Sequence, residues 1–235
     1  MFFSIPTDTF TVCRDAAGVA GNIFAFGLFV SPIPTFRRII RNQSTEQFSG
    51  LPYIYALLNC LICTWYGTPL ISYDNVLVMT VNSIGAVFQI TYIILFIIYA
   101  DKEIKIRMLG LLLAVIGLLA IIIGGSLQIV DRKVRWIFIG LLSCASLISM
   151  FASPLFIINL VIRTKSVEFM PFFLSLSTFL MSTSFFIYGI FNLDGFIYVP
   201  NGIGTILGIV QLLLYFYYKR ISIEDSEEPL MVSHV

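Results

Sequence analysis

The chain has 235 residues, of which 58% are hydrophobic and 11% charged, and its mean hydropathy is +0.95. A soluble domain carries roughly a quarter charged residues, so the composition excludes an ordinary water-soluble fold. A net charge of +1 and a single histidine, His234 in the tail, give no basis for a nucleic-acid partner, for imidazole catalysis or for a histidine-ligated metal. No cofactor is expected.

In chain order, seven stretches carry no charged residue: 16–36, 48–73, 75–100, 108–130, 136–162, 169–193 and 195–218. A helix needs about 20 apolar residues to cross the hydrocarbon core, and each stretch meets that length. Barrel strands would be about half as long and would alternate polar with apolar residues. The expectation is an all-α membrane protein of seven transmembrane helices in a lipid bilayer.

The segment before residue 16 holds Arg14, while Arg37, Arg38 and Arg41 follow the first stretch. This reverses the charge order of a cleavable signal peptide, so none is expected. The N-terminal segment and the second, fourth and sixth connections carry 4 Lys and Arg residues; the other three connections and the tail carry 10. The positive-inside rule then puts the N-terminus outside or in a lumen and the C-terminus in the cytosol. Asn42-Gln43-Ser44 matches a glycosylation sequon, but this topology places it in the cytosol as a chance match. Ser44-Thr45-Glu46-Gln47 has the pattern of a capping box and predicts the start of the second helix.

The chain repeats itself. SPIPTFRRIIRNQSTEQF (31–48) aligns with SPLFIINLVIRTKSVEFM (153–170) at an offset of 122, pairing Ser31-Pro32 with Ser153-Pro154, Arg41 with Arg163 and Glu46 with Glu168. Tyr66-Gly67 falls on Tyr188-Gly189 without a gap. After a three-residue difference in the next loop, Asn82-Ser83-Ile84-Gly85 falls on Asn201-Gly202-Ile203-Gly204. The reading is a first three-helix repeat over 16–100, a linker helix over 108–130, a second repeat over 136–218 and a tail over 219–235. An odd number of crossings per copy would invert a directly joined second copy. The linker helix restores parity and makes the copies parallel, which is a transporter architecture with its site at the repeat interface.

Within this frame, GNIFAFGLFVSPIPTFRRIIRNQSTEQFSGLPYIYALLNCLICTWYG (21–67), VNSIGAVFQ (81–89), FASPLFIINLVIRTKSVEFMPFFLSLSTF (151–179) and YVPNGIGTILGIVQLLLY (198–215) carry a resemblance. The chain resembles plant members of the SWEET family of sugar transporters, built from MtN3/saliva modules related to the PQ-loop carriers. The resemblance runs from about residue 18 to residue 219. It implies a bidirectional sugar uniporter, a hexose such as glucose as substrate, and a vacuolar or plasma membrane location. It also implies assembly into homo-oligomers, or hetero-oligomers with other family members. The acidic tail IEDSEEPLMVSHV (223–235) adds a weak sorting-signal look at Glu228-Pro229-Leu230.

Asn82 and Asn201 occupy equivalent places on the third helix of each repeat. A lone intramembrane Asn most simply makes an interhelical hydrogen bond. Two such amides related by parallel repeats face one central axis, and each offers donors and an acceptor to a neutral polyol. The resemblance makes them sugar-binding residues and adds Cys63 and Phe185, aligned on the second helices, as the other pocket walls. It also makes Pro32, Pro52, Pro154 and Pro171 a set of hinges, and Tyr66 and Asp194 the pair that closes the outer end. As residues alone, Pro52 and Pro171 also suit helix first turns, and Asp194 suits a solvated loop. Cys60-Leu61-Ile62-Cys63 matches C-x-x-C, but an apolar span holds nothing to activate a thiol, so packing is the expected role.

No stretch contains Asp, Glu, Lys, Arg or His. Ion-coupled carriers keep such groups inside the membrane, so facilitated diffusion of an uncharged solute is expected, and no enzyme activity. Other PQ-loop carriers of small solutes and a seven-span receptor are the alternatives. The third stretch ends YADKE (99–103), without the acidic-Arg-aromatic triplet of rhodopsin-like receptors.

Overall fold

The structure, a computed structural model, describes residues 7–167 and 170–231, with side chains for 9–167 and 170–221. Glu168, His234 and the side chains of the Glu228-Pro229-Leu230 phrase lie outside the described residues. The elements are α1 (Thr7–Val30), α2 (Ile33–Asn42), α3 (Leu51–Tyr66), α4 (Val76–Tyr99), α5 (Lys102–Gln128), α6 (Arg132–Ser149), α7 (Ala152–Thr164), α8 (Phe172–Phe191) and α9 (Gly195–Met231). The described residues contain no strand. These helices make seven crossings, because α1 with α2 and α6 with α7 each form one broken span. Six crossings are long and apolar enough to cross a bilayer, and the seventh, α3, is a shorter apolar helix.

The first span breaks at Pro32 and the fifth just ahead of Pro154, two of the prolines singled out from the sequence, and proline is the cause. Pro32 has no N–H to return to the carbonyl four residues earlier. The Leu28 carbonyl instead accepts from Ser31 Oγ at 2.8 Å and from the Ser31 amide at 3.3 Å. In the second copy, the Met150 and Phe151 amides tighten onto Leu147 and Ile148 at 3.2 and 3.0 Å, one turn ahead of Pro154. Pro52 sits in the first turn of α3 and Pro171 at the N-cap of α8, where no helical hydrogen bond is lost.

The capping-box reading of residues 44–47 is corrected, since α3 begins only at Leu51, after Gly50. Glu46 adopts a left-handed φ of 47°, and its carboxylate is taken by Arg38 at 3.1 and 2.5 Å and by Asn42 at 2.5 Å. The Arg38 guanidinium, with the Asn42 amide, holds the Glu46 carboxyl below the usual carboxylate range. Glu46 therefore pins the loop back onto α2 and takes no part in capping α3, whose Leu51 amide donates to Ser49 Oγ at 3.3 Å.

Neighbour relations close six spans into a ring. Span three (α4) lies between spans one (α1, α2) and two (α3). In the second copy, α9 lies between α6 with α7 and α8, and the copies join where α1 meets α8 and where α3 meets α6. The linker helix α5 packs outside this ring on α3, α4 and α6. It buries only the stripe Met108, Val115, Ile122 and Ser126, and Ser126 Oγ accepts from Trp65 Nε1 at 3.1 Å. A Cβ added at Gly110, Gly117 or Gly124 on α5 would meet open space.

Packing repeats at the sequence offset. A Cβ on Gly67 would lie 2.5 Å from the Met79 backbone nitrogen, and one on Gly189 would lie 2.6 Å from that of Tyr198. Gly85 admits Phe29 and Cys60 where Gly204 admits Phe151 and Ser182. These four glycines let the second and third helices of each copy touch closely.

Gly67→Val and Gly189→Val are therefore expected to lower the thermal midpoint of the detergent-solubilised protein, by an overpacking cost of about 1–3 kcal/mol each. Gly117→Val should leave it unchanged. Thermal-shift measurement on the three purified variants checks this.

Candidate functional site

Inside the ring is a cavity of about 410 Å³ lined by residues from both copies, and α5 contributes none. The size is that of a small-molecule site. Asn82, Asn201, Cys63 and Phe185 all line it, so the four residues chosen from the sequence are brought together. Asn82 Nδ2 donates to the Val78 carbonyl at 2.9 Å and Asn201 Nδ2 to the Ile197 carbonyl at 2.8 Å. Each amide thus steadies itself on its own preceding turn with one N–H. The second N–H and the carbonyl oxygen of each are left for an occupant.

The walls beside the amides are equivalent in position and opposite in size. Phe185 fills the space left by Gly21, where a Cβ would come within 2.7 Å of the ring. At the matching places of the other copy, Cys63 Sγ lies 3.3 Å from Ser143 Oγ. One side of the cavity is therefore an aromatic face and the other a small thiol and hydroxyl. Cys60 and Cys63 are free and buried, and Cys63 contacts Ser143 and, at 3.7 Å, Asn59 Oδ1, in keeping with a packing role.

The sequence reading missed several lining residues. Ser143 was legible at the offset from Gly21, but a glycine opposite a serine looks like small-residue packing. Asn59, buried in the wall, accepts from Ser146 Oγ at 3.0 Å. Its repeat counterpart is Met181, so the offset did not flag it. Gln89 and Gln211 also line the cavity. No lining residue is Asp, Glu, Lys, Arg or His.

The end of the ring that holds Asp74 and Asn192 is shut. Tyr66 Oη donates to Asp194 Oδ2 at 2.5 Å and accepts from Trp136 Nε1 at 3.0 Å. Asn75 Nδ2 donates to Asp194 Oδ2 at 2.7 Å and also contacts Ser72 Oγ. Asn192 Nδ2 donates to Asn75 Oδ1 at 2.9 Å, and Tyr188 Oη to the Asp74 carbonyl at 2.6 Å. Asp194, at 4% exposure, also accepts the Phe196 amide at 3.0 Å as the cap of α9. Tyr66 and Asp194 meet as the sequence reading expected. Asn75, the repeat counterpart of Asp194, is the member that reading lacked.

Away from this closure the lining continues along Met150, Phe151, Pro154, Met170 and Pro171, toward the end that carries the ten basic residues. Of the four prolines, only Pro154 and Pro171 reach the cavity. Pro32 lies at the α1–α2 break, and Pro52 lines a separate apolar cleft between α3 and α5.

Asp194→Ala leaves Tyr66 and Asn75 without their shared acceptor, a loss of about 1–3 kcal/mol from the shut end. Spin labels at Tyr73 and Leu193, which are 64% and 85% exposed, report on it. A second, longer distance is expected to gain population in the variant over the parent, and Tyr66→Phe should give a smaller shift of the same sign.

The MtN3/saliva family, described as "Sugar efflux transporter for intercellular exchange", matches residues 15–104 and 137–222. Among curated proteins, the chain is 71% identical over 226 residues to the bidirectional sugar transporter SWEET2 of Arabidopsis thaliana, covering 96% of each. It is 61% identical to SWEET2a of Sorghum bicolor, covering 95% of this chain and 92% of that protein. A solved eukaryotic SWEET transporter superposes with a TM-score of 0.89 at 55% identity, covering 90% of this chain and 99% of that one. With both copies matched and near full-length identity to its relatives, the chain belongs to the MtN3/saliva, or SWEET, family of sugar transporters.

Proposed function

We propose that this protein is a facilitative, bidirectional carrier of a neutral hexose, with glucose as the first candidate, working by alternating access. The observation that carries this reading is the cavity of about 410 Å³ with two equivalent amides and no Asp, Glu, Lys, Arg or His in its lining. The amides suit hydroxyl groups, which both donate and accept. The Phe185 ring offers an apolar face for the C–H side of a pyranose. Without Asp, Glu, Lys, Arg or His in its walls, the site has no group of the kind that ion-coupled carriers use to load a proton or balance an ion. The relatives' names, bidirectional sugar transporters, support the same substrate class.

In this reading the copies over 16–100 and 136–218 rock about the cavity, with Pro32 and Pro154 hinging the broken spans and Pro52 and Pro171 hinging the starts of α3 and α8. The Tyr66–Asp194–Asn75 closure is the outer gate. The basic end is cytosolic by the positive-inside rule, so the cavity mouth past Pro154 and Pro171 faces the cytosol. The membrane is the vacuolar or the plasma membrane.

Radiolabelled glucose flux in cells lacking their own hexose carriers tests the proposal. Flux should be saturable, run in both directions down the gradient and persist with a protonophore. Asn82→Ala and Asn201→Ala should each lower it about tenfold or more, as expected for a lost hydrogen-bonding site residue. Flux abolished by the protonophore, or unaltered in both variants at equal surface expression, contradicts it.

A further inference from the structure

Below the paired asparagines the cavity holds a polar feature that the sugar site does not use. Gln89 is 8% exposed, lines the cavity, and its Oε1 is buried without a hydrogen-bond partner among the described residues. A buried carbonyl oxygen left unpaired costs stability, and such groups in folded proteins call for an explanation. On α4, Gln89 lies seven residues past Asn82. That spacing brings it back to the same helix face about 10 Å nearer the basic end.

Gln211 brings a second carboxamide to the same cavity from α9, buried to 6% exposure. It lies ten residues past Asn201, about 15 Å along the helix in the same direction. The repeat does not explain this pair. The position equivalent to Gln89 is Gly208, and the one equivalent to Gln211 is Tyr92, whose Oη is spent on the Phe29 carbonyl at 2.7 Å. Each copy thus supplies one amide, at its own height, along a path walled by Met150, Phe151 and Met170 and by the shorter hydroxyl side chains of Ser153 and Ser175.

We propose that Gln89 and Gln211 form a second hydrogen-bonding station for a neutral polyhydroxy solute, between the Asn82–Asn201 site and the basic-end mouth. The station rests on the carrier reading above. A sugar leaving the asparagines loses their hydrogen bonds before it regains water, and each hydroxyl left unpaired at that point raises the barrier to release. The Gln89 carboxamide lines the cavity, and turning it brings the buried Oε1 to face a sugar hydroxyl there, so the atom unpaired in the empty carrier is paired in the loaded one. Gln211 offers both donor and acceptor on the facing wall.

The test pairs the apolar variants Gln89→Met and Gln211→Met with glucose and its monodeoxy analogues, in proteoliposomes of purified protein at subsaturating sugar. Gln89→Met is expected to slow glucose flux about fivefold, the worth of one hydrogen bond. It should slow flux of the analogue lacking the bonded hydroxyl less than twofold, and Gln211→Met should behave likewise with its own analogue. The sugar-free Gln89→Met protein should melt no lower than the parent, because the unpaired oxygen is gone. Unchanged glucose flux, or an equal loss on glucose and every analogue, overturns the station while leaving the carrier reading intact. A parent protein that carries none of these sugars removes the carrier reading and the station with it.

Discussion

The crossed closure at one end of the ring holds the two copies in a fixed relation. Tyr66, from the second span of the first copy, bonds to Asp194 at the head of the third span of the second. Its counterpart Tyr188 reaches back to the Asp74 carbonyl at the head of the first copy's third span. Asn75 and Asp194, themselves equivalent, meet between them. A carboxylate buried this deeply is costly unless hydrogen-bonded. Here it accepts from a phenol, an amide and the first turn of α9, whose dipole favours negative charge. The closure is strong where it is complete, and it has little value partly made.

Everything else about the cavity follows from that arrangement. Joining the second span of each copy to the first span of the other turns two three-helix units into a six-membered ring, and leaves α5 outside as a connector with one buried stripe. The ring brings Asn82 and Asn201 onto one axis, and the unequal pairs Phe185–Gly21 and Cys63–Ser143 make that axis only approximately symmetric. In the proposed carrier, the nearly symmetric frame would serve two related conformations, and the asymmetric walls would give a solute one preferred orientation.

The repeat made much of this legible before any coordinates. Asn82 and Asn201 stand out because the offset pairs two intramembrane amides, Cys63 and Phe185 were added by the family resemblance, and the seven crossings stand out because charge is absent for so long at a time. Pro32 and Pro154 marked where the first and fifth spans bend, although hydropathy runs unbroken through Ser31-Pro32 and Met150-Phe151 and only the hydrogen bonds stop. Ser44 to Gln47 misled because a capping pattern is local, while Glu46 is claimed by Arg38 eight residues earlier. Asn75 was passed over since its counterpart is an acid and an Asn at a helix start looks complete in itself. Asn59, Gln89 and Gln211 were visible as polar residues in apolar runs. Without polar counterparts in the other copy they could not be told from side chains that bond within their own helices.

The central claim is that the Asn75–Asp194 contact must open for a solute to cross. Asn75→Cys and Asp194→Cys in one chain place two thiols where the side chains now touch. With the thiols cross-linked, sugar flux in proteoliposomes is predicted to stop, and to return when the link is reduced, with each single variant insensitive to oxidant. Undiminished flux through fully cross-linked protein would show that this end does not open during transport, and would contradict the account.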